Sequence, residues 1–313
     1  MTRIFAIHKL KNAKITNNSV ILHKGKVVRE SCVAEPQYQK YQKLGFLLKY
    51  FFPIFTNPRK TYILISDEWS KNYCHWLWES LSKLIKLKKE FPKAILLLPK
   101  SYLKIDFVVK SLEAFGFNQN NIKTIPEKSH LRVKNLAFIP CINITSSGYY
   151  DFLKPKEVSK IVTSHYLEKL KTNFGERIYI SRSNPKKNTT RQISNEQELT
   201  AMLSTHGFKT VYMENFSFLE QISIMNFAKY IIAPHGAGIA NTMFSKPESY
   251  LLELVNIDWQ KTCFAEIAEK MAINYYRIDC YSLSGAEKNL EFRDVTVDIL
   301  ELEEKLIKIL RSK

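Results

Sequence analysis

One segment in the second half of the chain constrains the fold more than any other. It predicts a buried strand at Tyr230–Ala233, a turn bared by Gly236 and Gly238, a helix at Ile239–Phe244 and a second buried strand at Leu251–Val255. A turn of this kind presents backbone N–H groups to an anion at the start of the helix. A phosphate-bearing ligand is therefore one expected occupant.

The glycine pattern by itself leaves two interpretations open. The sequence is neither Gly-x-Gly-x-x-Gly nor a Walker loop, which needs Lys followed by Ser or Thr. Glycines also suit a tight turn that only packs a strand closely against a helix. In the functional interpretation, His235 adds a hydrogen-bond donor, and Gly236, Ala237 and Gly238 supply the amides.

After Gly175 the chain alternates regularly between strands and helices. Further strands are expected at Arg177–Ser181, Lys209–Met213 and Tyr275–Cys280. Further helices are expected at Ser194–His206, Phe216–Ala228, Gln260–Met271 and Val295–Leu310. This alternation predicts a parallel sheet with helices on both faces, and ligands in such sheets bind beyond the carboxyl ends of the strands.

The first half is less regular but also α/β in character. Strands are expected at Arg3–His8, Ser19–Leu22, Thr61–Ser66, Ala94–Leu98, Asn121–Ile125 and Asn135–Pro140. Helices are expected at 72–90, Ser101–Phe115 and Pro155–Phe174. We therefore expect two α/β domains, at 1–160 and 161–313.

Charge is distributed unevenly between these halves. The net charge of +17 lies entirely in residues 1–160, whereas residues 161–313 are neutral overall. A basic half favours an anionic membrane surface, nucleic acid or an acidic substrate as partner. Nucleic acid is disfavoured because zinc-finger spacing, an aromatic RNP pattern and a basic zipper helix are missing.

A membrane surface fits one apolar, aromatic segment, Gly45–Phe55, which lies among lysines and arginines and is too short to span a bilayer. The alternative is a buried hydrophobic helix or a connecting segment. Exposed lysines on the helix at 72–90 and just after it are expected to contact anionic lipid, namely Lys83, Lys86, Lys88, Lys89 and Lys93.

The cysteines predict reduced thiols in a cytosolic protein, because their number is odd and C-x-x-C spacing is missing. They are Cys32, Cys74, Cys141, Cys263 and Cys280. The N-terminus lacks the apolar core of a signal peptide. Metal-ligand spacing and Asp-x-Asp are also missing, so we expect no metal cofactor.

Arginines follow the strand Arg177–Ser181. Arg182 comes directly after it, and Arg191 lies nine residues further on, across a polar loop. Because a guanidinium binds two phosphoryl oxygens at once, these residues are candidates for a diphosphate clamp. The alternative is a solvated basic loop.

Two carboxylates are candidates for contacts with sugar hydroxyls. Glu198 lies in the first turn of a helix, where Ser194 and Gln197 also match a capping box, the purely structural interpretation. Glu253 lies inside an apolar strand, where a carboxylate needs a partner or a pocket. It forms either an ion pair, for instance with Arg182, or a sugar contact beside the glycine turn.

A second cluster, 72–79, opens the helix after the first strong strand. His75 and Glu79 are four residues apart, hence on one helix face, and suit general-base catalysis. Trp76 and Trp78 offer flat faces that stack on sugars, and Asn72 begins the cluster. The alternative is a hydrogen-bonded helix histidine beside core tryptophans.

Taken together, these stretches resemble glycosyltransferase family 61. The matching segments follow one another over residues 60–255: Asn-Tyr-Cys-His-Trp-Leu-Trp-Glu (72–79), Ile-Tyr-Ile-Ser-Arg (178–182), Arg-Gln-Ile-Ser-Asn-Glu-Gln-Glu (191–198), His-Gly-Ala-Gly-Ile-Ala-Asn (235–241) with Phe244, and Glu-Leu (253–254). Bacterial sequences of this kind resemble enzymes of capsule or lipopolysaccharide assembly.

The resemblance implies an α/β, GT-B-like architecture, two Rossmann-like domains facing across a cleft, and inverting transfer from a nucleotide-sugar. It implies donor diphosphate and nucleotide binding in the second domain by Arg182, Arg191, His235, Gly236, Ala237, Gly238, Glu198 and Glu253. It implies an acceptor in the first domain near Asn72, Trp76 and Trp78, with His75 or Glu79 as the general base. Arginines and a helix dipole would then stabilise the leaving diphosphate instead of a metal.

The sequence thus predicts a cytosolic, membrane-peripheral, inverting glycosyltransferase that adds a sugar to a surface glycan. Two alternatives stay open, a nucleotide-sugar epimerase of GT-B shape and a non-catalytic nucleotide-binding scaffold. An epimerase would convert the donor without any acceptor. A scaffold would keep its function after loss of His75 and Glu79.

Overall fold

The computed structural model describes residues 6–43, 45–46, 53–127, 129–141, 153–171, 174–183, 190–259, 263–282 and 293–311. The chain divides into two compact units, Met1–His165 and Tyr166–Lys313, each with its own sheet. The fold is mixed α/β. Within the described ranges, no helix combines the length and the apolar character needed to cross a bilayer.

The first unit is built on a sheet of eight described strands. They are β1 (His8–Thr16), β2 (Ile21–His23), β3 (Lys26–Val27), β4 (Ile54–Phe55), β5 (Thr61–Leu64), β6 (Ile95–Pro99), β7 (Ile122–Ile125) and β8 (His130–Phe138). Their order is β3-β2-β1-β8-β5-β6-β7, with β4 paired to β8. Strands β4 to β8 pair in parallel, whereas β1, β2 and β3 are antiparallel to their neighbours, so the sheet is mixed.

The two longest strands of this sheet, β1 and β8, bend near Asn12. Leu10 and Ala13 pack into the same core cluster although they are three residues apart. Asn12 has a φ of 58°, which interrupts the alternation of faces expected in a strand. After the end of β1, Ser19 Oγ lies 2.7 Å from the Oγ atom of Ser66, which follows the end of β5.

Four α-helical segments of this half of the chain are described along their whole length. They are α1 (Glu35–Tyr41), α2 (an α turn Tyr73–His75, a π turn Trp76–Ser80 and an α-helix Leu81–Glu90), α3 (Asp106–Ala114) and α4 (Pro155–Tyr166). Helix α2 begins where the Asn72 side chain accepts from Cys74 N at 2.9 Å. Its buried leucines, among them Leu77, Leu81 and Leu84, anchor it to the core.

Six strands form the described sheet of the second unit. They are β9 (Arg177–Ile180), β10 (Lys209–Val211), β11 (Tyr230–Pro234), β12 (Tyr250–Asn256), β13 (Asn274–Ser282) and β14 (Val295–Thr296). The order is β10-β9-β11-β12-β13-β14, and all pairs are parallel except β13 with β14. Strand β11 is fully buried, as its continuous apolar sequence predicts.

The helices of the second unit confirm most predicted segments. They are α5 (Glu196–Thr205), α6 (Phe218–Phe227), α7 (Cys263–Met271) and α8 (Ile299–Arg311). The predicted helix Val295–Leu310 is wrong at its start, because Val295 pairs with Ser282 as part of β14. The predicted helix Pro155–Phe174 is too long, because α4 ends at Tyr166 and a 3-10 turn follows.

The predicted capping box at Ser194 and Gln197 is also wrong. The cap residue of α5 is Asn195, and its side chain bonds to both backbone groups of Val297 instead, at 3.0 Å and 2.9 Å. A capping box does form on α6, between Ser217 and Glu220. Of the predicted strand Arg3–His8, residues 3–5 lie outside the described ranges, and β1 begins only at His8.

Candidate functional site

The glycine turn after β11 meets an arginine from the end of β9. A Cβ added at Gly236 would overlap the Arg182 guanidinium, and one added at Gly238 would lie 3.0 Å from Ile180 Cγ2. The 3-10 helix Ala237–Phe244 begins directly at this turn. By the geometry of a helix start, the amides of Ala237 and Gly238 have no partner inside that helix. The glycines are therefore needed so that Arg182 can lie on the turn.

Two guanidinium groups influence each other at this edge. Burial, and then the positive charge of Arg191, lower the pKa of Arg182 to about 10. Arg182 Nε donates to the carbonyl oxygen of Thr190 at 3.0 Å, which holds the side chain in place. Like charges gathered in a partly buried place favour an anion that would relieve their repulsion.

His235 is oriented by the neighbouring strand. Its Nδ1 is hydrogen-bonded to Glu253 Oε1, and Tyr275 Oη donates to Glu253 Oε2 at 2.8 Å. Because a carboxylate only accepts, Nδ1 of His235 carries a proton; Nε2 is then an acceptor in the neutral ring and a donor to an anion in the imidazolium. Glu253 is 2% exposed with both oxygens engaged. The predicted sugar contact of Glu253 is therefore wrong, and so is the ion pair with Arg182: Glu253 positions His235.

Glu198 lies in the first turn of α5, as predicted. Its side chain is exposed, and its contact with a sugar hydroxyl stays a prediction. The carboxylate at the end of β9 is that of Glu196, which accepts from Tyr179 Oη and from Ser181 Oγ, each at 2.7 Å. Glu196 thus fixes the strand end that carries Arg182.

The first unit contains the second predicted pair. His75 Nδ1 lies 2.8 Å from Glu79 Oε1, and the side chains are 17% and 1% exposed. Glu79 belongs to the π turn of α2, an irregularity frequently found at functional sites. The Trp69 ring lies 5.1 Å from the His75 ring, between centroids. The imidazole is thus the exposed member of the pair, and the carboxylate behind it is buried.

A buried ion pair adjoins this histidine. Lys83 Nζ lies 3.0 Å from Asp67 Oδ2, with side chains 2% and 1% exposed. Burial would lower the pKa of His75, but the hydrogen bond and charge of Glu79, with the charge of Asp67, outweigh burial and raise it. Burial raises the pKa of Glu79. His75 therefore holds a proton more strongly than a histidine in water does.

Two predicted acceptor residues are corrected by the structure. Trp76 and Trp78 are both 0% exposed, so neither indole can stack on a sugar. Trp76 Nε1 donates to Ser111 Oγ at 2.9 Å inside the core. Asn72 is exposed and caps α2, and its contact with an acceptor stays a prediction.

The sequence model of a family described as Glycosyltransferase 61 matches residues 73–252, more than half of the chain. The chain belongs to glycosyltransferase family 61. A search of curated proteins found no match. The matched region begins at the first residue of α2 and ends within β12, so it contains His75, Glu79, Arg182, Arg191 and His235. The protein is therefore a glycosyltransferase.

Three residues of this glycosyltransferase that the sequence analysis missed lie after the matched region. They are Asn256, Trp259 and Arg293, which line a small pocket with Arg191 and His235. The Trp259 ring lies 4.2 Å from His235 and 5.7 Å from the Arg191 Cζ atom. The guanidinium groups of Arg191 and Arg293, the Trp259 indole N–H and the Asn256 amide nitrogen are all donors. The sequence did contain a signal for these residues, since Asn256 ends β12 and Trp259 follows it at the carboxyl edge of the sheet.

Asn256 also favours a ligand with hydrogen-bond acceptors in this pocket. Its side chain is 5% exposed, and its Oδ1 accepts from Asp258 N at 3.1 Å. Its Nδ2 is buried and has no hydrogen-bond partner in the described part of the chain. A buried amide without an acceptor costs stability, so an acceptor supplied by a ligand would be favourable here.

The first unit of the glycosyltransferase has a larger pocket of about 430 Å³ beyond the ends of β5, β6 and β7. Ligand pockets commonly have such volumes. Its lining is Asn17, Asn18, Tyr41, Asp67, Glu68, Lys71, Pro99, Lys100, Ser101, Tyr102, Ile125 and Glu127. Asp67 joins this pocket to the surroundings of His75.

Metal ligands and disulfides do not feature in the described ranges. No group of three or more His, Cys, Asp or Glu side chains there is placed to hold a metal ion. The five cysteines are free thiols.

Proposed function

We propose that this glycosyltransferase transfers a sugar, with inversion, from a nucleoside-diphosphate sugar to a surface-glycan acceptor such as capsule or lipopolysaccharide. One observation carries the proposal: the Arg182 guanidinium lies on the Gly236 turn, beside an oriented His235. Backbone amides and a guanidinium at the start of a helix form a site for the diphosphate that leaves the sugar.

In this proposal the second unit binds the donor. Arg182 and Arg191 neutralise the diphosphate, and the amides of the glycine turn donate to its oxygens. His235, as the imidazolium, donates to the diphosphate from Nε2 while Nδ1 stays bonded to Glu253. Cationic side chains supply the charge that a metal ion provides in other enzymes, so we propose that no metal cofactor is needed. Asn256 Nδ2 offers a further donor in the adjoining pocket.

The first unit would hold the acceptor and the base. We assign the base to the exposed nitrogen of His75, Nε2, because Nδ1 is engaged with Glu79. A single displacement needs one base, and Glu79 would stabilise the imidazolium that forms. The pocket beside Asp67 would take the acceptor. GT-B enzymes divide donor and acceptor between two units, and we propose that arrangement here. We also propose a cytoplasmic, membrane-peripheral location.

Nucleotide binding tests the proposal directly. A thermal-shift screen against UDP, GDP, CDP and ADP should show stabilisation by at least one of them. Calorimetry with that nucleotide should then show affinity losses of about 1.5–3 kcal/mol for Arg182→Ala and for His235→Ala, since each removes one charge-assisted contact.

Arg132→Ala, in the first unit, is the matched control and should bind as the unaltered protein does. Unchanged nucleotide affinity in both site variants would refute the assigned role. Incubation with the sugar nucleotide alone separates transfer from epimerisation, because only an epimerase would convert the donor without an acceptor.

A further inference from the structure

Three segments of the first unit form a continuous basic surface. The ranges 8–16, 53–61 and 130–138 together contain seven Lys and Arg residues and neither Asp nor Glu. We call these seven the basic rim: Lys9, Lys11, Lys14, Arg59, Lys60, Arg132 and Lys134. Strand pairing brings the segments together, since β1 and β4 both pair with β8.

Contacts within the rim tie its three segments together. Lys14 pairs with Arg132 across the strands, and Phe55 pairs with Arg132 from the other side. Lys11 Nζ donates to Asn135 Oδ1 at 2.6 Å, and Asn135 Nδ2 donates to the carbonyl oxygen of Lys60 at 3.3 Å. The loop with Arg59 and Lys60 is therefore tied to the strand that carries Arg132 and Lys134.

Apolar side chains project from the middle of the rim. Ile54 is 44% exposed and Phe55 is 70% exposed. Among the described residues, Phe55 is the most exposed aromatic side chain. The Arg132 Cζ atom lies 5.6 Å from the centroid of the Phe55 ring. Exposed apolar side chains framed by cations are the combination that binds at a membrane interface.

We infer that the basic rim docks this protein on an anionic bilayer, with the cations at the headgroups and with Ile54 and Phe55 inserted among the acyl chains. The inference rests on the proposed peripheral location and specifies the face that makes the contact. Anionic headgroups complement segments that contain no carboxylate of their own. Lys9 is paired with Glu90 of α2 at 3.3 Å, so the other six cations of the rim carry the attraction. Nucleic acid fits less well, because an exposed isoleucine has no partner along a phosphate backbone.

The structure also removes part of the surface predicted from the sequence. Lys83 is buried in its ion pair with Asp67, and Lys88 Nζ is hydrogen-bonded to the carbonyl oxygen of Phe115. The Lys83 ammonium is therefore not available to lipid, whereas Lys88 is partly exposed and its contact with lipid stays a prediction. Of the predicted segment Gly45–Phe55, residues 47–52 lie outside the described ranges, and Ile54 and Phe55 form β4.

Vesicle sedimentation tests the inference with two sets of vesicles, pure phosphatidylcholine and phosphatidylcholine with about 30 mol% phosphatidylglycerol. The protein should bind the anionic vesicles, and high salt should weaken that binding. The triple variant Lys11→Glu, Arg132→Glu, Lys134→Glu should bind them more than about tenfold less well, because each reversal adds repulsion from the surface.

The matched control is Lys104→Glu, Lys246→Glu, Lys308→Glu, which makes the same change of charge at exposed lysines elsewhere. It should retain most of the binding. In a second measurement, the tryptophan of Phe55→Trp should shift its emission to the blue on anionic vesicles, since the ring enters the interface.

Equal binding by the two triple variants would overturn the inference, as would an unshifted Phe55→Trp emission or preferential binding to a DNA duplex. The nucleotide-induced thermal shift should persist in the rim variants. If the unaltered protein shows no thermal shift with any nucleotide, the proposed function fails but the docking face does not. The two failures are therefore distinguishable.

Discussion

Each unit holds a histidine hydrogen-bonded to a glutamate near the carboxyl ends of its parallel strands, but the two pairs have opposite surroundings. His75 and Glu79 come from one helix and lie near the carboxylate of Asp67. His235 and Glu253 come from adjacent strands and lie at a turn covered by the guanidinium of Arg182.

This contrast indicates that the neighbouring charge determines the chemical role of a His–Glu pair. A carboxylate nearby strengthens the hold of His75 on a proton, which suits a group that accepts a proton during the reaction. Guanidinium groups nearby attract an anion, which suits His235 to a diphosphate. We therefore propose the proton transfer for the first unit and the binding of the leaving group for the second.

The largest expected effect comes from removing the proposed base. His75→Ala should lower the transfer rate about 10²–10⁴-fold, the usual contribution of a positioned general base. Nucleotide affinity should stay unchanged, because the donor binds in the other unit. Steady-state kinetics would measure the transfer rate, and calorimetry would measure the nucleotide affinity. If His75→Ala weakens nucleotide binding as His235→Ala does, the comparison is broken.

A second pair of variants removes one cation from each unit. Lys83→Met leaves Asp67 buried without its partner and should lower the free energy of unfolding by about 3–5 kcal/mol. Arg182→Met removes a guanidinium whose pKa burial and Arg191 already lower, so it should change the free energy of unfolding by less than about 1 kcal/mol. Urea denaturation measures both, and equal losses would contradict the contrast.

Much of the second unit could be predicted because its central strands, β11 and β12, are buried on both faces. Continuous apolar runs such as Tyr230–Ala233 identify strands of a parallel sheet without any knowledge of their neighbours. The segments of the proposed site could be predicted as well, because carboxyl ends of parallel strands gather at one edge. His75, Glu79, Arg182 and His235 all follow such strand ends.

The remaining features depend on contacts that are distant in sequence. Strand β1 alternates lysine with small and apolar residues and bends at Asn12, so no apolar run announces it. Arg293 reaches the pocket only because Ile193 and Val295 form a bridge across the chain. The predicted stacking of Trp76 and Trp78 on a sugar is wrong because both residues lie in the π turn and are buried.

A smaller effect tests whether Arg182 acts from its place on the glycine turn. Gly236→Ala should displace the guanidinium and cost about 1 kcal/mol of nucleotide binding, less than loss of Arg182, because a flexible side chain can move aside. Gly45→Ala is the control, since a Cβ there meets nothing within 4 Å. Calorimetry on the variants measures the difference.

The double variant Gly236→Ala, Arg182→Ala sharpens this test. If the new methyl group acts through Arg182, it should add nothing once the arginine is gone, and the two single losses should not sum. Fully additive losses would show that the turn and the arginine contribute independently, which would contradict their contact as the cause.

The smallest effect is a shift in the pH dependence of transfer. A base must be neutral to accept a proton, so the rate should rise with pH through the pKa of His75, which Glu79 and Asp67 raise above the ordinary 6.5. Glu79→Gln removes the larger of these two influences. The pKa of His75 should then fall and the acid limb should move to lower pH.

Stability should respond with the matching sign. A raised histidine pKa stabilises the folded state below the pKa of the unfolded chain, and that contribution is lost as pH rises through the folded value. Glu79→Gln should therefore lose more stability at acid pH than at alkaline pH. Glu253→Gln, the same change in the other pair, should weaken nucleotide binding and leave the acid limb in place. An acid limb that moves in Glu253→Gln but not in Glu79→Gln would transfer the base to His235 and reverse the roles of the two units.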